Sequence, residues 1–111
     1  MTDVDKEKEM QILVGAVQHY GGNRQLVKCC EEAGELIQAI CKLFDGPCSG
    51  DDIEAVVEEM ADVEIMLDQV RMVLAVDPDM EQRWRERKLH RLARQILTTT
   101  PDGPCGAVRP L

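Results

Sequence analysis

Apolar residues recur at three- and four-residue intervals through most of the chain, and β-branched residues nowhere alternate with polar ones for long. That periodicity predicts helices and argues against strands. Breakers mark the boundaries: GGN at 21–23, DGPCSGDD at 45–52 and DPD at 77–79. The pattern predicts an all-α chain with helices at roughly 3–20, 23–44, 52–76 and 78–97. Asn23 is the expected N-cap of the second helix, Asp51 or Asp52 of the third, and Asp77 of the fourth, with Pro78 in its first turn. From Thr98 the sequence TTTPDGPCGAVRPL has Pro and Gly but no period, which reads as a flexible tail over 98–111 behind one domain at 1–97. No internal repeat of solenoid length occurs.

On a helical wheel the third helix gathers Val56, Met60, Val63, Met66, Leu67, Val70, Val73 and Leu74 within roughly 160°. Glu59 falls inside that arc and Asp62 at its edge, whereas Glu58 and Asp68 fall outside. In the second helix Leu26, Cys30, Ala33, Leu36, Ile37, Ile40 and Phe44 form the apolar stripe. Glu32 borders it, Glu35 lies one turn on, and Glu31 faces further out. An ionised carboxylate buried without a partner is costly, so protonation, a basic side chain or a metal must compensate. Glu32/Glu35 and Glu59/Asp62 are both i, i+3 pairs, each projecting from one helix face. If the two helices pack antiparallel, four carboxylates converge, and such a set repels itself unless a dication sits among them. The plainer alternative is a pair of solvated acidic helices, in which such spacings arise by chance.

Composition sharpens this picture. Aromatic residues make up 3% of the 111, so Leu, Ile, Val, Met and Ala must form the core, and a chain of this size gains burial by oligomerising. The net charge of −8 disfavours nucleic acid and anionic membranes as partners unless something cationic mediates the contact. The five cysteines, Cys29, Cys30, Cys41, Cys48 and Cys105, form no C-x-x-C pair, and an odd number of free thiols suggests a reducing, cytoplasmic setting. The charged N-terminus MTDVDKEKEM has no signal-peptide core, and no apolar run reaches the length of a membrane span.

The segments EEAGELIQAI and EEMADVEIML together resemble the E-x-x-E … E-x-x-D signature of the MazG-like nucleoside triphosphate pyrophosphohydrolases, the all-α NTP pyrophosphatase superfamily. The resemblance covers roughly residues 10–95 and includes the helix order, and RERKLHRL at 85–92 is similar to the basic helix that often follows. It implies a four-helix bundle-like protomer over 1–97 that assembles as a dimer or tetramer. It also implies hydrolysis of a nucleoside triphosphate to the monophosphate and pyrophosphate, for nucleotide-pool control, with Glu32, Glu35, Glu59 and Asp62 as ligands of Mg²⁺, for which Mn²⁺ can substitute. The sequence departs from some members in lacking an aromatic residue after the Asp, and only Tyr20, Phe44 and Trp84 could stack on a base.

Around that expected site, Glu31 or Glu35 could position the attacking water. Lys88 and Arg91 share a face of the fourth helix and could neutralise charge on departing pyrophosphate, although a solvated basic face gives the same spacing. Lys28, one turn before Glu32, reads as a salt-bridge partner. Neither His19 nor His90 follows a Glu by three residues, which argues against a di-iron bundle, and no Walker A or Gly-x-Gly-x-x-Gly loop occurs. The rival expectation is a non-catalytic helical module for regulation or interaction.

Overall fold

A computed structural model describes residues 2–101 and is entirely helical among them, with no strand: α1 (Asp3–Tyr20), α2 (Gly22–Lys42), α3 (Gly50–Val73) and α4 (Pro78–Thr98). No helix is long and apolar enough to cross a membrane among the described residues. The tail expected from Thr98 falls, beyond Pro101, outside the described residues, as does Cys105, and Thr98 itself closes α4. Cys29, Cys30, Cys41 and Cys48 are free thiols.

Local chemistry explains each helix start. Thr2 caps α1 through a reciprocal pair: Thr2 Oγ1 accepts from the Asp5 amide at 3.2 Å, and the Asp5 carboxylate accepts from the Thr2 amide at 3.2 Å. Gly21, at φ 89°, ends α1 and begins α2 at once, a left-handed turn open to glycine at no steric cost. α2 therefore starts at Gly22 without a side-chain cap, and Asn23 sits inside the first turn, not at the cap. Ser49, not Asp51 or Asp52, caps α3, because Asp52 occupies the third helical position and reaches back to the Ser49 amide at 3.1 Å. Asp77 caps α4 as expected, accepting from the Asp79 amide at 3.0 Å with Pro78 opening the helix.

The chain divides into two compact units at Leu74/Ala75. In the first, α2 and α3 form the main packing pair and α1 lies against both. Their antiparallel register follows from opposed residues along the seam. Gly22 faces Val73 so closely that a Cβ there would lie 3.0 Å from Val73 Cγ1. Gln25 then faces Gln69, Glu32 faces Glu59 and Asp62, and the charge of Lys42 reaches Asp52.

Burial differs from the expected apolar stripes. Among the described residues Leu13 and Met66 are the buried apolar side chains. Ile37 and Ile40 of α2, Phe44 just beyond it, Met60 of α3 and Leu74 at its C-cap are exposed, as is Cys30. The reason is that the line α3 presents to α2 is Glu59, Asp62, Met66, Gln69 and Val73, a seven-residue repeat of the kind that lines helix–helix seams. The seam is therefore largely polar, and much of the apolar surface lies beside it. The second unit contains α4, in which no residue is buried and Met80, Trp84, Leu89, Leu92, Ile96 and Leu97 are exposed.

Candidate metal centre

Glu32 from α2 and Glu59 and Asp62 from α3 each direct one carboxylate oxygen to a common point, all within 4.8 Å of one another. Two features bring them there. The i, i+3 spacing puts Glu59 and Asp62 on one face of α3, and the antiparallel register brings Glu32 opposite both. Glu32 is only 8% exposed, although it sits at the centre of a helix–helix contact where an aliphatic residue would ordinarily pack.

The electrostatics are unbalanced. Glu32 Oε1 is paired with Lys28 Nζ at 3.2 Å, and the same ammonium lies 3.5 Å from Glu31. Glu32 Oε2 and Glu59 Oε2 are buried with no hydrogen-bond partner. Burial, with the charges of Glu35, Asp62 and Glu32 and a hydrogen bond to Glu35 behind it, raises the Glu59 carboxyl above its ordinary 4.5. The Lys28 ammonium is held above its ordinary 10.5, chiefly by its hydrogen bond to and the charge of Glu32, and then by Glu31. One lysine, itself half-exposed, thus stands against the whole group of acids.

Buried carboxylate oxygens without donors are uncommon in folded proteins, because each forgoes the hydration it would have in water. Three convergent hard oxygens, two of whose carboxylates carry orphaned lone pairs, suit a hard dication such as Mg²⁺ or Mn²⁺.

The other expected site residues divide. Glu35 is exposed and is not one of the three convergent acids, but its carboxyl adjoins Glu59. Both line a cavity of about 400 Å³ with Gln38, Lys42 and Asp52. Glu31 is exposed and turned to Lys28. Lys88 and Arg91 lie on α4, in the second unit, both exposed; Lys88 Nζ stands 5.9 Å from the centroid of the Trp84 ring, which it shares with Arg87 at 5.2 Å.

Two seam residues escaped the wheel. Gln25 and Gln69, 6% and 3% exposed, join across α2 and α3 by a 2.6 Å bond from Gln25 Nε2 to Gln69 Oε1. A heptad reading would have found them: Gln25 lies seven residues before Glu32, and Gln69 seven after Asp62.

No family model, curated protein or solved structure matches the chain.

Proposed function

We propose that this protein is a divalent-cation-dependent nucleoside triphosphate pyrophosphohydrolase that hydrolyses the α–β phosphoanhydride to a monophosphate and pyrophosphate. The observation that carries the reading is the pair of orphaned carboxylate oxygens on Glu32 and Glu59 within a convergent group of three acids. The resemblance of EEAGEL and EEMADV to the MazG-like signature supplies the bond that is cleaved.

Glu32, Glu59 and Asp62 would hold Mg²⁺ or Mn²⁺, with Glu35 beside them. The bound ion supplies charge neutralisation of the phosphates and polarisation of the scissile linkage. Glu35 suits the role of positioning the attacking water better than Glu31 does, since Glu31 is engaged with Lys28 while Glu35 opens to a cavity beside Glu59. The exposed apolar residues Ile37, Ile40, Phe44 and Met60 of the first unit, and Leu89, Leu92 and Ile96 of α4, support a homo-oligomer, a dimer or tetramer, that covers them.

The same exposed face of α4 is what a non-catalytic interaction module would display, and product analysis separates the two readings. Incubation with Mg²⁺ and each common and deoxynucleoside triphosphate is expected to release pyrophosphate and a monophosphate. Release of orthophosphate and a diphosphate would overturn the bond assignment, and lack of turnover across the panel would favour the interaction module.

A further inference from the structure

Next to the carboxylates, an open cavity of about 510 Å³ lies on α2 beside the end of α1, lined by Tyr20, Arg24, Gln25, Lys28 and Glu31, with Met66 of α3. Its chemistry differs from that of the acidic group. Tyr20 offers an aromatic face, already approached by the Arg24 guanidinium at 5.3 Å from the ring centroid. Arg24 and Lys28 bring two cations, and buried Met66 supplies apolar floor. Lys28 links the two places, because it lines this cavity while its ammonium lies 3.2 Å from Glu32 Oε1.

The buried amide pair fixes what the cavity presents. Gln69 Nε2 lies 3.4 Å from the Ile65 carbonyl oxygen, which can only accept, so that nitrogen must be the donor. Gln69 Oε1 therefore faces Gln25, and Gln25 must donate through Nε2, at 2.6 Å. Gln25 Oε1 is left as an uncommitted acceptor on a residue that lines the cavity. An aromatic face, two cations and a fixed acceptor together suit a planar, N–H-bearing ring attached to an anion.

We infer that this cavity is the nucleoside subsite: the base stacks on Tyr20 and donates a ring or amino N–H to Gln25 Oε1, while Lys28 and Arg24 meet the phosphates on their way to the carboxylates. The inference rests on the proposed reading of the acidic group as a metal–phosphate site. It adds that affinity for the base is set at Tyr20 and Gln25, and that the Gln25–Gln69 pair is a positioning device for the acceptor.

Calorimetric titration separates the two layers. The full chain is titrated first with Mg²⁺ alone, then, in Mg²⁺, with inorganic tripolyphosphate and with non-hydrolysable α,β-imido deoxynucleoside triphosphates. The wild type is expected to bind at least one nucleotide analogue about tenfold or more tightly than tripolyphosphate, the scale of one base-stacking contact. Tyr20→Ala, at an exposed position that leaves packing intact, and Gln25→Met should each erase most of that advantage while keeping Mg²⁺ and tripolyphosphate binding. Retained Mg²⁺ binding also shows that each variant is folded. Nucleotides that bind no better than tripolyphosphate, or an advantage that survives Tyr20→Ala, would overturn the subsite and leave the metal reading standing. Absence of Mg²⁺ binding to the wild type would overturn both.

Discussion

The α2–α3 seam has two halves built from side chains of nearly the same size. In one half Gln25 and Gln69 meet, and their amides close a chain of donors and acceptors that ends on the Ile65 carbonyl. In the other half, one heptad along, Glu32 meets Glu59 and Asp62, and two buried oxygens have no donor. The first half shows that this fold can pair polar residues across the seam, with Gln25 Oε1 left to the cavity. Glutamines in the second half would have preserved shape and polarity without like-charge repulsion. The difference teaches that the carboxylates are not a device for helix register alone. Among the described residues Lys28 is the one cation paired with these acids, and the excess negative charge is what a bound dication would neutralise.

Making the first half like the second should produce the largest change. Gln69→Glu replaces a donor with an acceptor opposite the Ile65 carbonyl and leaves a charge at a site 3% exposed. Equilibrium urea unfolding at neutral pH is expected to show a loss of about 3–5 kcal/mol, the range for an uncompensated buried charge. An unchanged midpoint would mean that the seam tolerates charge without help, and the contrast between its halves would lose its force.

A smaller effect is expected from removing the amide pair. Gln25→Leu should cost about 1–3 kcal/mol, because Gln69 Oε1 loses its donor in a buried setting. Gln25→Leu combined with Gln69→Leu should cost clearly less than the two single changes added together, since no orphan remains. Additive losses would show that the two residues act independently.

The pH dependence of the metal-free protein separates the acids by environment. Glu59 has its carboxyl raised above 4.5, so its contribution is fully present below 4.5 and is lost as pH rises through the raised value. Asp5 and Asp52 are lowered below 3.8 by hydrogen bonds to Thr2 and Ser49, so their contributions hold above 3.8 and are lost as pH falls through the lowered values. The thermal midpoint without metal should therefore rise modestly as pH is lowered from neutral towards 4.5, then fall below 3.8. In Glu59→Gln the rise should shrink while the fall remains. A rise of equal size in that variant would assign it to other groups.

Much of this contrast was legible in the sequence. The four helices followed from periodicity and breakers, and the two i, i+3 acid pairs pointed to Glu32, Glu59 and Asp62 before any geometry was available. What the wheel misjudged was the centre of burial. It averaged over all apolar residues of the predicted third helix and so favoured Met60 and Leu74, which are exposed, over Gln69, which is the most deeply buried residue of the seam. Hydrophobicity cannot report burial where the contact itself is polar, and only the seven-residue spacing carries that signal. The caps expected at Asn23 and at Asp51 or Asp52 were both displaced upstream, the first by backbone geometry at Gly21 and the second by the reciprocal bonding of Ser49 with Asp52. Exposure of Glu35, the fourth expected ligand, depends on where its side chain settles beside Glu59, which spacing does not specify.

The central claim is that the Glu32, Glu59 and Asp62 carboxylates hold a dication, and a Mg²⁺ titration of thermal unfolding tests it most directly. The unfolding midpoint of the wild type should climb with Mg²⁺ concentration, by the equivalent of about 2.7 kcal/mol at a hundred times the dissociation constant. Monovalent salt at matched ionic strength should not reproduce the climb. Glu32→Gln with Glu59→Gln should start from a higher metal-free midpoint, through relief of repulsion, and respond to Mg²⁺ no more than to the salt control. A wild type that responds to Mg²⁺ and to matched monovalent salt alike, or a double variant that keeps the full Mg²⁺ response, would contradict the account.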